Sequence, residues 1–428
     1  MILSDERTMM NKLAVGNAAL AKTLRIATRF AFSFFLVLCT FVSAFAAESI
    51  SITATPRYPW NGKVDLKFTI DGTGGTKYDT SFTAKDVAGG TNLTMKTLYK
   101  SNGTAANAAK EQLLPGTYSW VWDATADLGE GTVLDRVVVE GKTAIYNPLY
   151  MVIDLSGGSS AKSYPISYLD AVPSGGWTDA YKTTKLVLRR CEAGMFTMGT
   201  PKANDSRGIE TQHKVTLTKA FYISVFETTR KQWGLVMGTS DSGTLPKANI
   251  PWLKIRENQG WPGNSTVGST SFMGRLRSKT GKTKIDLPTE AQWEYACRAG
   301  TTTLFSYGSN SADGSYMWYS ANAGGALHAV GGKKPNPWGL YDMHGNAFEW
   351  CLDYWNNATY GSTAVVDPKG PTSYSNTGSG TRPRIRRGGY FGGSGADLSS
   401  SHRAYGSTDN YYNETVYLHG FRVCLTMD

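Results

Sequence analysis

Turn-forming clusters such as DGTGGTK, SNGTAAN and LLPG recur along this chain, and 47 of its 428 residues are glycine. That punctuation excludes a long helical bundle, because a glycine or proline inside a helix costs roughly 1 to 3 kcal/mol. Aromatic residues make up 12% of the chain. Together these features predict short elements joined by tight turns around aromatic-rich packing. Hydrophobic content of 41% against 18% charged supplies a core and excludes a disordered tail. The length argues for two or three domains.

The first 46 residues read as an export signal. Lys22, Arg25 and Arg29 form a positive flank, and Phe30 to Val42 is an apolar core. That core is shorter than the ~20 residues a membrane helix needs. Ala44, Phe45 and Ala46 make a small-x-small cleavage site, so the mature chain is expected to begin at Ala47. An uncleaved anchor is the alternative. The expected location is secreted, periplasmic or in the cell envelope, with membrane contact only through this segment. Of the formal net charge of +10, +3 lies in the signal. Scattered solubilising charge accounts for the rest. The one dense basic run, Arg382 to Arg387, comes with no nucleic-acid motif, so no nucleic-acid partner is expected.

Residues 47–145 read as an all-β sandwich of the immunoglobulin or fibronectin kind. SISITATPRYPW, KVDLKFTI, YDTSFTAKDV, TYSWVWDAT and LDRVVVEG are short β-branched and aromatic runs, mostly alternating with period two. Trp120 and Trp122 fall on one face and would fill the core. Such a domain acts as a spacer or adhesive module. Residues 146–183 read as a connector, although YMVIDL and the run from Tyr164 to Leu169 have strand character.

From residue 184 the character changes. LVLRRCEAGMFTMGT predicts a strand entering a turn, and HKVTLTKAFYISVFETT a second strand pair. Thr229 is placed to cap a helix, and Gln232 to reach back to the cap's own backbone donor. Trp233, Val236 and Met237 follow at helical spacing, and Gly238 stops the helix. Thr289 and Gln292 repeat the pattern before a stripe of Trp293, Ala296 and Cys297. The echo fits either an internal duplication or two independent uses of capping chemistry.

Six segments in this half, taken in order, resemble the sulfatase-modifying-factor family, which includes the formylglycine-generating enzyme. They are FTMGT (196–200), FYISVFETTRKQW (221–233), LPTEAQWEYACRAG (287–300), NPWGLYDMHGNAFEW (336–350), RRGGYF (386–391) and HGFRVC (419–424). The resemblance covers residues 184–428 and implies a compact domain related to C-type lectins, with modest regular structure and long ordered loops. The fold class expected for the chain is therefore α+β, a formylglycine-generating-enzyme-like domain preceded by the sandwich.

The resemblance also implies a structural calcium ion at Asp342, the carbonyls of Gly345 and Ala347, and Glu349. These are hard oxygen ligands of the kind calcium prefers. The alternative is that Glu349 only accepts hydrogen bonds in a tight loop. A second family calcium site would begin at Asn322 and Ala323, but the acidic loop that completes it is missing. It is not expected here.

The family's oxidases hold copper with two cysteines placed five and ten residues after the first glycine of a GGS motif. Here the matching positions are Gly393 and Leu398, Tyr390 replaces the serine, and no cysteine lies between Cys351 and Cys424. Copper suits thiolates and is not expected. After removal of Cys39 with the signal, Cys191, Cys297, Cys351 and Cys424 remain. Cys297 matches a family disulfide cysteine whose partner position, near Arg403, is empty. The pairs proposed are Cys191 with Cys424 and Cys297 with Cys351, and four buried free thiols are the competing reading. The histidines show no ligand spacing. Ser399, Ser400, Ser401 and His402 could serve a hydrolase, but a plain polar loop accounts for them.

These features predict a non-oxidase protein that binds a peptide, glycan or envelope protein through the groove that oxidases use. Tyr390, Phe391, Asp397, Arg403 and Tyr405 are the candidates for lining it. The rivals are a formylglycine-generating or related oxidoreductase with a variant mechanism, and a purely structural surface protein.

Overall fold

A computed structural model describes residues 49–428, apart from 73–76, 88–89, 108–110, 135, 205–209, 357–360, 376–381 and 407–418. The expected export signal lies outside the described residues. The chain divides into two compact units between Asn147 and Pro148. Among the described residues no helix is long and apolar enough to cross a membrane.

The N-terminal unit consists of β1 (Ser49–Pro56), β2 (Lys63–Asp71), β3 (Tyr78–Asp86), β4 (Asn92–Leu93), β5 (Leu98–Lys100), β6 (Ala105–Ala106), β7 (Gly116–Asp123), helix α1 (Ala124–Leu128) and β8 (Val137–Ile145). One sheet has the order β1-β2-β7-β5-β6 and the other β4-β3-β8. Alternation along β2 turns Val64, Leu66, Phe68 and Ile70 inward. They meet Trp120 and Trp122 from β7 and Tyr78, Ala84, Val137 and Val139 from the second sheet in one core. Trp122 is fully buried, and its indole N–H donates to Asp127 at 2.8 Å.

The C-terminal unit is mixed and sheet-rich. Its first strands, β9 (Tyr150–Asp154) and β10 (Ile166–Leu169), lie within the stretch read as a connector. They join β11 (Lys185–Cys191) in one sheet, β10 pairing with β9 and β9 with β11. A six-stranded antiparallel sheet runs β10-β9-β11-β14-β21-β15, completed by β14 (Phe221–Ser224), β15 (Ile285–Asp286) and β21 (Cys424–Thr426). A three-stranded sheet joins β12 (Gly194–Met198), β13 (His213–Leu217) and β17 (Val365–Val366). A third sheet has the order β19-β18-β16-β20, with β16 (Phe348–Tyr354), β18 (Arg384–Arg387), β19 (Ala404–Gly406) and β20 (His419–Gly420).

The helices are short: α2 (Ala180–Thr183), α3 (Arg230–Met237), α4 (Trp252–Arg256), α5 (Phe272–Thr280) and α6 (Glu290–Arg298). Both capping boxes form as read. Thr229 with Gln232 opens α3, and Thr289 with Gln292 opens α6. Gly238 closes α3 in the left-handed conformation at φ 76°, which glycine adopts without strain. Trp293, Ala296 and Cys297 on α6 are fully buried.

The two proposed disulfides are not formed, and all four cysteines are free and buried. Strand β14 lies between β11 and β21, with Phe221 opposite Cys191 and Ile223 opposite Cys424. Two strand spacings separate those backbones by roughly 10 Å, beyond the ~7 Å a disulfide spans. Cys297 and Cys351 share one apolar cluster as thiols. Burial pushes the Cys191 and Cys297 thiols up to about 12, so they stay protonated at neutral pH.

The N-terminal core depends on the Trp122 side chain. Trp122→Ala should cost about 3–5 kcal/mol, lowering the unfolding transition of this unit in calorimetry of the whole chain. An unchanged profile would refute the core assignment.

Candidate functional site

The loop after β18 is where the resemblance places the oxidase chemistry. Arg387 ends the strand, and Gly388 and Gly389 turn the chain at φ 86° and 74°. A Cβ at Gly389 would lie 2.7 Å from Leu398 Cγ, so the tight return requires glycine there. The loop continues into a 3₁₀ turn, Gly395–Leu398, in which the Ser394 hydroxyl donates to Asp397 at 2.6 Å. Leu398 is fully buried against Phe305 and Met317. A Cβ at Gly393 would sit 3.0 Å from Leu398 Cδ1 and 3.2 Å from the Tyr390 carbonyl. The two positions matched to copper-binding cysteines thus form a packed apolar plug.

His344 locks this plug from beneath. Its Nε2 accepts from the Ser306 backbone N–H at 3.2 Å and lies 2.8 Å from the Ser306 hydroxyl. The proton therefore sits on Nδ1, which donates to the Leu398 carbonyl at 2.6 Å. Burial depresses the His344 pKa to about 4, so the ring is neutral at physiological pH. Cys297 Sγ lies 3.8 Å from the same Nε2.

The five groove candidates do not converge. Tyr390 stacks on Phe348 at 5.4 Å and meets Phe391 edge-on at 5.6 Å, and both side chains are half-buried. Asp397 is engaged within its own turn, with His402 Nδ1 4.0 Å away. Arg403 is buried rather than exposed to a ligand, donating to Glu290 at 2.8 Å. Tyr405 is 42% exposed and packs on Trp355 at 4.8 Å. Arg403 reaches instead a cavity of about 690 Å³ lined also by His213, Glu290, Asp353 and Asn356. Asp353 accepts the Glu290 backbone N–H at 2.8 Å. Burial first, and the Glu290 carboxylate second, raise its pKa to about 7.

The calcium candidates form a buried acidic cluster with Glu227, which sequence reasoning missed. Glu227 accepts from Asn346 Nδ2 at 2.7 Å and from the Ala347 N–H at 2.9 Å. Burial and the neighbouring Asp342 and Glu349 raise its pKa well above the carboxylate range. Asp342 takes the Gly331 N–H on Oδ2, while its Oδ1 is buried with no hydrogen-bond partner. That orphaned oxygen fits a cation. Glu349 fits one poorly, because Arg422 Nε donates to both its oxygens at 2.7 and 2.8 Å and Trp293 donates to Oε2 at 2.7 Å. Among the described residues no three His, Cys, Asp or Glu side chains group to hold a metal. A calcium ion here would therefore rest on Asp342 and main-chain oxygens such as those of Gly345 and Ala347.

A family model described as the sulfatase-modifying factor enzyme 1-like domain matches residues 178–427. The chain is 30% identical over 190 residues to the chaperone protein LppX of Paenibacillus barcinonensis, covering 35% of this chain and 67% of that protein. It is 29% identical over 164 residues to the formylglycine-generating enzyme of Mus musculus, covering 35% of this chain and 38% of that enzyme. The match to the corresponding enzyme of Bos taurus is 32% identical over 35% of this chain and 37% of the enzyme. The chain thus spans well under half the length of these two enzymes. Treponema denticola variable protein 1 superposes with a TM-score of 0.46 at 23% identity, over 59% of this chain and 98% of that one.

Asp353 makes stability depend on pH. Its folded pKa of about 7 lies above the ordinary aspartate value of 3.8, so the fold favours the protonated acid. That contribution is complete at acid pH below the unfolded value and is lost as pH rises through 7. Asp353→Asn keeps an acceptor for the Glu290 N–H and removes the charge. Each tenfold change in proton affinity is worth about 1.4 kcal/mol. The melting temperature of the parent relative to this variant should therefore fall by several degrees between pH 5 and pH 8. A flat difference would show that Asp353 does not titrate in that range.

Proposed function

The chain belongs to the sulfatase-modifying factor family, and from that membership we propose that it is an exported, non-oxidase member whose C-terminal domain binds a polypeptide partner. The observation that carries this reading is Leu398, buried against Phe305 and Met317 where an oxidase needs a thiol. A leucine neither ligates copper nor exchanges disulfides, and the loop from Gly388 to Arg403 contains no cysteine. The surviving surface at the loop is the Tyr390–Phe391 pair on Phe348, an aromatic face of the kind that anchors partners. The relative named as a chaperone protein supports a role in handling another polypeptide. The N-terminal unit, as an immunoglobulin-like or fibronectin-like sandwich, would space this domain from its anchor or neighbour. The second reading, a formylglycine-generating oxidase, is favoured by the similarity to the mammalian enzymes of that name.

The deciding assay offers a sulfatase peptide, copper and oxygen to the purified chain. No conversion above a protein-free control is expected, and any turnover would favour the oxidase. Pull-down with envelope proteins should recover a polypeptide that Tyr390→Ala with Phe391→Ala releases about tenfold faster, as expected for loss of an aromatic anchor. Capture of glycans in place of protein would redirect the reading.

We also propose a structural calcium ion held by Asp342 and the carbonyls of Gly345 and Ala347. Its positive charge would favour ionisation of Asp342 and Glu227, which burial otherwise opposes. A folded-state ligand raises the melting temperature by mass action. Chelation should lower it, added calcium should restore it, and Asp342→Ala should abolish the response. A chelator without effect on the parent protein would remove calcium from the account.

A further inference from the structure

A second cavity, of about 450 Å³, opens on the far side of the Asp367–Lys369 segment, which contributes to the walls of both cavities. Its floor is apolar, built from Leu217, Leu287 and Leu352, with Trp261 on one wall. Lys219, Lys284 and Lys369 line it as well, and none of the three is buried. The lining also contains two carboxylates, and both are already committed. Asp286 accepts from Arg256 at 3.0 Å and from Arg277 at 2.9 Å. Asp367 accepts the Thr218 N–H at 2.8 Å and bonds its hydroxyl. Lys284 pairs with Asp428, whose carboxylate also feels the charge of Lys219, and among the described residues Lys369 makes no ion pair.

The wall carrying Lys369 is held in place. Trp261 Nε1 donates to the Lys369 carbonyl at 3.0 Å, joining this segment to the wall formed by the chain after α4. The cavity thus has a size suited to one small molecule, an apolar floor and a rim with surplus positive charge. A cation would meet like charge at the rim. A polyanion would leave the leucine floor covered by polar groups. An apolar body ending in a single acid satisfies both parts.

We propose that this cavity binds a small amphipathic monocarboxylate, with its acid held by Lys219 and Lys369 and its chain on Leu217, Leu287, Leu352 and Trp261. The site lies apart from the Tyr390–Phe391 face and does not depend on the partner-binding reading. The rim pairs are solvent-exposed, so they select charge more than they supply affinity, and salt weakens them.

Titration calorimetry of the full chain with octanoate, octanol and octylammonium tests this. Octanoate is expected to bind saturably at one site, octanol more weakly, and octylammonium not at all. Lys219→Glu with Lys369→Glu should weaken octanoate about tenfold or more, as two reversed rim charges imply. The milder Lys219→Gln with Lys369→Gln should weaken it less, and an unchanged thermal transition checks that either variant is folded. Raising salt should weaken octanoate and leave octanol unchanged. Equal binding of octanoate and octylammonium, octanoate affinity unchanged by the charge reversal, or no saturable binding of octanoate, would each overturn the proposal.

Discussion

One guanidinium organises the C-terminal unit. Arg422 donates to both oxygens of Glu349, to the carbonyls of Ser224 and Val225 at 3.1 and 3.0 Å, and to the Tyr341 carbonyl. Trp293 adds its indole N–H to the same carboxylate. Five separated segments therefore meet at one buried ion pair: the approach to β21, strand β16, the end of β14, helix α6 and the loop before Asp342. Removing either charge would strand the other in a dry interior at about 3–5 kcal/mol. The pair also ties the six-stranded sheet to the four-stranded one, since β14 and β21 belong to the first and β16 to the second.

The same economy of buried charge runs through the segments that carry the family resemblance. Glu290, Glu294 and Arg298 come from LPTEAQWEYACRAG, and Arg387 from RRGGYF. Glu294 accepts from Arg298 at 2.8 Å and from Arg387, while Glu290 accepts from Arg403. The last contact joins α6 to the loop after Leu398. The motifs recognisable in the sequence are thus largely the wiring of the fold. They describe how buried charge is paired, and this is why the resemblance fixes the family and leaves the activity open.

What the sequence made legible was local. The capping boxes at Thr229 and Thr289 depend on residues three apart, and the burial of Trp120 and Trp122 depends on period-two alternation. What it concealed depends on partners far along the chain. Strands β9 and β10 were readable as extended but not as members of a sheet, because the strand that anchors them, β11, lies beyond an intervening loop. The Cys191–Cys424 pairing failed because β14 inserts between their strands. Arg403 reads as a groove residue because arginine suits a contact surface, and only Glu290, far along the chain, explains its burial. Glu227 went unnoticed as a strand-end residue, although an acid inside the apolar run FYISVFETT was a signal that something must hold it.

The two polar regions around the loop answer differently to pH, and this separates structure from candidate chemistry. His344 is held neutral by burial, with its proton fixed on Nδ1 by the Leu398 carbonyl and its Nε2 filled by Ser306. His344 does not change its charge around neutral pH. The cavity beyond α6 is the opposite case. There Asp353 loses its proton near neutrality beside Glu290 and Arg403, within a space large enough for a small molecule. The loop after β18 thus rests on a histidine that stays neutral, and the carboxyl that titrates near neutrality, Asp353, belongs to the cavity lined by Glu290 and Arg403.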